Sequence, residues 1–202
     1  MPPPPFPRRA LRRAGPLLTL LAVLFTARSS LADHYTIPTG SMLPTVEPGD
    51  HVVVDKTAYA LRLPLTHLEL ARLGEPARGD VVVLDEPGSS TVLLKRVVAV
   101  AGDEVRVEDG QLWLNGSPVP TESVGPFEAF EQLGADHHIR LEHGGGPDFG
   151  PTVVPPDQVL VLGDNRGDSR DGRFFGFVPR QALLGRAERI VVRGGSPVWL
   201  AL

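Results

Sequence analysis

The stretch Asp80-Val81-Val82-Val83-Leu84-Asp85-Glu86-Pro87-Gly88-Ser89-Ser90-Thr91-Val92-Leu93-Leu94-Lys95-Arg96-Val97-Val98-Ala99-Val100-Ala101-Gly102-Asp103 decides the fold class. Its β-branched runs at 80–84, 91–94 and 97–100 are too short for helices, and Glu86-Pro87-Gly88 and Ala101-Gly102-Asp103 punctuate them with turn residues. The same grammar continues on either side. Strands are expected at His51–Val54, Glu104–Val107, Gln111–Leu114, Val159–Leu162 and Ile190–Val192, with Asp109-Gly110 as a two-residue hairpin turn. The reading is a mostly β chain with an antiparallel, barrel-like β fold. Residues 58–73 place Leu61, Leu65, Leu68 and Leu73 at loosely helical spacing but are interrupted by Pro64, so a loop with one helical turn is expected there. Residues 115–156, with Gly144-Gly145-Gly146 and several prolines, read as a loop-rich insertion on the β core.

Composition sets the limits. The 202 residues are 42% hydrophobic and carry 20 Lys+Arg against 24 Asp+Glu, enough apolar surface for a folded domain. With no cysteine there is no disulfide framework, no thiolate nucleophile and no Cys-ligated metal. Five of the basic residues (Arg8, Arg9, Arg12, Arg13 and Arg28) lie in residues 1–28, which hold no acid; that leaves 15 basic against 24 acidic, a net −9, for 29–202. An acidic body repels phosphate, so no nucleic-acid partner is expected.

The N-terminal arginines precede an uncharged run from Ala14 to Ala27. Basic residues ahead of an apolar segment hold that end in the cytoplasm, so residues 1–13 are read as a cytoplasmic Pro/Arg-rich tail. Residues 14–32 span about 28 Å as a helix and are read as one N-terminal transmembrane anchor in contact with membrane lipid. Residues 33–202 then form an extracytoplasmic β-rich domain. Ser30 and Ala32 are also small enough to mark a cut before Asp33, so removal of the segment stands as the alternative.

Ser41 lies in Ile37-Pro38-Thr39-Gly40-Ser41-Met42-Leu43-Pro44-Thr45, between two prolines and after a glycine. That setting suits an exposed nucleophile and equally an ordinary turn serine. Lys95 ends an apolar run and is one of two lysines among 18 arginines. Burial would lower its pKa and make it a base; a strand-end lysine with its head in water is the plainer reading. His51 beside Asp50 permits a Ser–His–Asp triad on paper, since triad members come in any chain order. In the polar run 163–173, Asp171 is expected to pair with Arg173 while Ser169 orients a neighbouring catalytic group; interleaved arginines weigh against a calcium loop. His137, His138 and His143 lack zinc-site spacing, and neither a metal nor a cofactor is expected.

Four segments taken together resemble the ordered motifs of bacterial type I signal peptidases: 37–45, then Arg78-Gly79-Asp80-Val81-Val82, then 95–103, then Gly163-Asp164-Asn165-Arg166 through Gly176-Phe177-Val178-Pro179. The resemblance covers roughly residues 14–115 and 155–192. It implies a Ser/Lys endopeptidase, anchored by one span in the bacterial cytoplasmic membrane, that removes signal peptides from precursor proteins on the outer face. It makes Ser41 the nucleophile, Lys95 the general base, Ser169 the hydroxyl that holds the lysine amine, and Thr39 a side-chain donor to the oxyanion where serine is more usual. Asp171 and Arg173 become supporting residues, with Gly172 where the family often has serine. Ile37, Pro38, Met42, Val46 and Leu94 match positions that line pockets for small residues, as in Ala-X-Ala. The partners implied are signal-peptide-bearing precursors and membrane lipid, and a monomer is expected. Two rivals share parts of this pattern: a self-cleaving Ser/Lys protease of the repressor kind, and an inactive membrane-tethered β-rich binding module.

Overall fold

A computed structural model describes residues 32–63 and 68–202. In chain order its strands are β1 (Ala32–Thr36), β2 (His51–Asp55), β3 (Ala60–Arg62), β4 (Glu69–Arg72), β5 (Val81–Asp85), β6 (Val92–Val100), β7 (Glu104–Glu108), β8 (Gln111–Leu114) and β9 (Ser117–Pro118). They continue as β10 (Thr121–Ser123), β11 (Glu128–Leu133), β12 (Ala135–Arg140), β13 (Phe149–Val153), β14 (Gln158–Leu162), β15 (Val178–Pro179), β16 (Leu183–Arg193) and β17 (Ser196–Ala201). The one α-helix described, α1 (Gly172–Phe175), is a single turn capped by the Asp171 side chain, which accepts from the Arg173 N–H.

Eight strands form the main antiparallel sheet, in the order β1-β2-β16-β5-β6-β14-β15 with β17 on β16, curled into a half-barrel. The barrel-like expectation is thus met by an open, curled sheet whose end strands are β1 and β15. Val81 to Leu84 are all buried, as an unbroken apolar run covered on both faces demands, and Leu94 to Ala99 are buried as well, Lys95 and Arg96 included. In β7 the alternation returns, with Val105 and Val107 inward and charged neighbours outward. Asp109 and Gly110 both take positive φ (48° and 77°), the mirror-image turn that two-residue hairpins need.

Three expectations change. The runs 91–94 and 97–100 are one strand, β6, which passes through Lys95 and Arg96; both are buried, so the polar pair does not end the strand but continues it within the interior. The helical turn sought in 58–73 is instead the strand pair β3–β4, joined in the register Ala60↔Arg72 and Arg62↔Glu69. Leucines three to five apart fit a loose helix face and a two-sided ribbon alike, so spacing alone did not separate them. The insertion is not mainly loop: it holds the β10-β11-β12 sheet and supplies β9 and β13 to the sheet built on β7 and β8. The transmembrane reading falls on residues outside those described except for Ala32, which is the first residue of β1 and pairs with Asp55. Among the described residues no helix is long and apolar enough to cross a membrane.

Candidate active site

Ser41 sits in the turn after β1, where Leu43 N–H donates to Gly40 O and Val46 N–H to Met42 O. Proline at 38 and 44 limits the backbone on both sides of it. Met42 and Val46 anchor the turn from below, both fully buried in a cluster with Ile37, Val83 and Leu94. The turn is also clamped from across the molecule. Asn165 donates its backbone N–H to Ser41 O (3.1 Å) and its side-chain Nδ2 to Gly40 O (3.1 Å). Ser41 is thereby placed by groups more than 120 positions away.

Lys95 reaches the same spot from the middle of β6. Opposite Val82 in the sheet and only 2% exposed, it donates from Nζ to Ser41 Oγ (2.6 Å) and to its neighbour's carbonyl, Leu94 O (3.0 Å). Burial pushes its pKa down from 10.5 to about 8, against the opposing pull of Asp171, Asp164 and Glu86. A buried amine with that pKa is neutral in a usable fraction near neutrality and can accept a hydroxyl proton. Thr39 Oγ1 lies 3.5 Å from Ser41 Oγ on the exposed side.

The network behind the pair is dense. Arg96, next to the lysine, grips Asp164 with two bonds (2.9 and 2.7 Å) and donates to Gly79 O, while Thr45 donates to Asp164 Oδ2 (2.6 Å). Asp171 accepts from Gly163 N–H (2.9 Å) and twice from the Arg173 guanidinium, which also donates to Gly145 O and Arg166 O. Arg166 in turn grips Glu131 of the insertion (2.9 and 2.5 Å), where Arg166 and His137 hold the carboxyl down at about 2 despite burial. Each buried carboxylate thus faces an arginine, the arrangement that makes burial of charge tolerable.

A family model described as signal peptidase, peptidase S26, matches residues 11–192. The chain belongs to this family. The signal peptidase I of Pseudomonas fluorescens is 36% identical over 192 residues, covering 83% of this chain and 67% of that protein. The signal peptidase I of Pseudomonas aeruginosa is 35% identical over 198 residues, covering 90% and 69%. A solved signal peptidase I from Enterococcus faecalis is 28% identical, with a TM-score of 0.40, covering 56% of this chain and 97% of that one.

In this signal peptidase family member the structure brings together most, not all, of the residues singled out in the sequence. Ile37, Pro38, Thr39, Ser41, Leu94 and Lys95 line one cleft of about 270 Å³, with Tyr35, Val83 and Thr91 to Leu93 completing its walls. Met42 and Val46 do not line it; they lie in the core beneath. Ser169 does not bond to the lysine: its Oγ is buried with no hydrogen-bond partner, and a Cβ at Gly163 would collide with both this hydroxyl and the Ser41 carbonyl. Glycine at 163 is what lets the two serines converge. The Asp50–His51 alternative is spent elsewhere, since Arg193 and Glu47 N–H hold the Asp50 carboxylate and the His51 ring stacks on His34. Of the insertion's histidines, His137 pairs with Glu131 and His138 packs on Phe130. The sequence assigns no role to Glu131 or to Asn165, although Asn165 lies in the 163–166 motif, because each acts through a partner far along the chain.

Proposed function

We propose that the chain is a membrane-anchored serine endopeptidase that removes N-terminal signal peptides from exported precursor proteins, cutting after small residues of the Ala-X-Ala type. One observation carries the reading: a buried lysine amine of lowered pKa within 2.6 Å of a serine hydroxyl at the foot of an apolar cleft. Ser41 Oγ attacks the scissile carbonyl carbon as Lys95 Nζ takes its proton. The developing oxyanion is met by the Ser41 N–H and by Thr39 Oγ1. Lys95 then passes the proton to the leaving amine, the mature chain departs, and a water deprotonated by the same amine hydrolyses the Ser41 ester. Ser169, beside this pair, supplies a hydroxyl that steadies the amine once substrate displaces solvent, and Asp171 and Arg173 stiffen the loop that carries it.

The substrate lies extended between residues 36–39 and 91–94, where main-chain groups hold it as an added strand and small side chains enter the pocket walled by Ile37, Pro38 and Leu94. The signal segment stays in the bilayer alongside the chain's own anchor at 14–32, with 1–13 in the cytoplasm and the catalytic domain outside. Purified protein incubated with a precursor bearing Ala-X-Ala gives a product whose new N-terminus follows the second alanine; Ser41→Ala and Lys95→Ala remain folded and give none. Processing by Lys95→Ala at the wild-type rate would end this reading.

A further inference from the structure

Glu86 follows directly on the apolar strand β5 with only 6% of its side chain exposed, and no step of the cleavage chemistry touches it. Its backbone closes the turn between β5 and β6. The carbonyl accepts from Ser89 N–H (3.1 Å) and the N–H donates to Thr91 O (2.9 Å), at the start of the stretch 91–94 that walls the cleft. A carboxylate so buried is costly without a counter-charge. Arg170 supplies one from the loop 163–173, donating Nε to Glu86 Oε1 (2.7 Å) across 84 positions of sequence.

Arg170 lies between two inward side chains. Ser169 and Asp171 have extended backbone and are both buried, whereas the Arg170 side chain between them turns outward and is 69% exposed. Its guanidinium folds back onto Glu86, so the loop that carries Ser169 is joined to the hairpin that carries Lys95. Three carboxylates act on the Lys95 ammonium through space: Asp171, Asp164 and Glu86. The first two are each gripped by two bonds from an arginine that is itself buried, Arg173 for Asp171 and Arg96 for Asp164. Glu86 differs, because its counter-charge stands in water.

We propose that Glu86 and Arg170 are positioning residues that act through Lys95: their ion pair straps the Ser169 loop to the β5–β6 hairpin and fixes how much negative charge the buried amine experiences. The inference rests on the Ser41–Lys95 reading and deepens it, naming groups outside the cleft that set the pH range of cleavage. A Glu86 carboxylate stripped of its arginine holds the proton on Lys95 more firmly, and a neutral side chain at 86 releases it at lower pH. The two partners thus act on the lysine with opposite sign, which packing alone would not produce.

Lys56 and Lys95 are the chain's two lysines, so the full-length protein in detergent micelles, isotopically labelled at lysine Cε, gives two methylene signals by NMR. Lys95→Met identifies the signal of residue 95, which is expected to titrate near 8 in wild type. Glu86→Gln keeps an acceptor for Arg170 and drops the charge; its Lys95 signal should titrate roughly half a pH unit lower, with cleavage of a soluble Ala-X-Ala peptide about threefold faster on the acid limb. Arg170→Ala should move the signal a comparable distance above wild type, and Arg170→Lys should return it to the wild-type midpoint. Arg170 is exposed, so its variants stay folded and carry the test if Glu86→Gln does not. A Lys95 signal unmoved in either folded variant overturns the proposal. So does a shift of both in one direction, the mark of loosened packing that lets water reach the amine. If the signal shifts as expected while the pH dependence of cleavage ignores it, the Ser41–Lys95 reading alone is refuted and the pair's hold on the lysine is upheld.

Discussion

Lys95 Nζ and Ser41 Oγ, 54 residues apart in sequence, meet at 2.6 Å with the lysine almost wholly out of water. The amine must be neutral to take the hydroxyl proton, and burial brings its pKa to about 8. Cleavage of a soluble peptide should therefore rise with pH, with kcat/KM levelling off above a midpoint near 8. A profile that instead levels off above a midpoint near 6.5 would point to a histidine and away from this pair.

The same burial has a stability consequence of definite sign. Between pH 8 and 10.5 the unfolded chain holds the lysine proton and the folded chain does not, so folding stability rises with pH across that window. Below about 8 both states are protonated and the full penalty of a buried ammonium is present. The drop from 10.5 to about 8 corresponds to about 3 kcal/mol. Lys95→Met should thus be inactive yet more stable than wild type at pH 7 in urea denaturation, with its advantage shrinking as pH climbs toward 10.5. A variant less stable than wild type at pH 7 would show that the lysine's polar contacts outweigh its desolvation.

Thr39 offers a sharp contrast of side chains. Its Oγ1 stands 3.5 Å from Ser41 Oγ, and both residues line the cleft. Losing one oxyanion donor typically lowers turnover about 10²–10³-fold. Thr39→Val, nearly isosteric, should fall by that order in kcat with KM little changed, and Thr39→Ser should recover most of the loss. Equal kcat for Val and Thr would remove the hydroxyl from the mechanism.

How much of this was readable beforehand depends on the range of the interaction. Strand positions such as 51–54, 81–84 and 104–107, and the Asp109-Gly110 turn, follow from neighbours in sequence and were legible. The continuity of β6 through Lys95 and Arg96 was not, because what lets two cations stay inside a strand is Asp164 for one and Ser41 for the other, both distant. Nor was the burial of Met42 and Val46: a hydrophobic residue beside a nucleophile can face the cleft or the core, and only the packing against Val83 and Leu94 decides. The insertion's sheet was hidden for a related reason, since β11 is pinned by Glu131 to Arg166 rather than by an apolar period of its own.

That pin is testable. Glu131 is fully buried against Arg166, and removing one member of a buried ion pair leaves an uncompensated charge worth about 3–5 kcal/mol. Glu131→Gln should lose stability of that order in urea denaturation while the pH midpoint of activity stays in place. Its carboxyl titrates near 2 when folded against an ordinary 4.5, so this contribution is complete above pH 4.5 and drains away as pH falls toward 2. Glu131→Gln and wild type should accordingly converge in stability at the acid end. Parallel curves down to pH 2 would mean the carboxylate's charge is not what holds the insertion.

Asn165 tests whether placement of Ser41, the proposed nucleophile, limits turnover. Its backbone N–H bond to Ser41 O survives substitution, whereas the Nδ2 bond to Gly40 O does not. One hydrogen bond is worth about 1 kcal/mol, a factor of roughly five in rate if it is needed only as Oγ closes on the carbonyl. Asn165→Ala should therefore lower kcat by about that factor with KM and the midpoint near pH 8 unchanged, since neither the cleft wall nor the lysine is touched. Asn165→Asp should match Ala or do worse, because a carboxylate cannot donate to the Gly40 carbonyl and adds negative charge beside the turn. Full activity in the aspartate variant would show that the donor is dispensable and that Ser41 is held by its own prolines and buried neighbours.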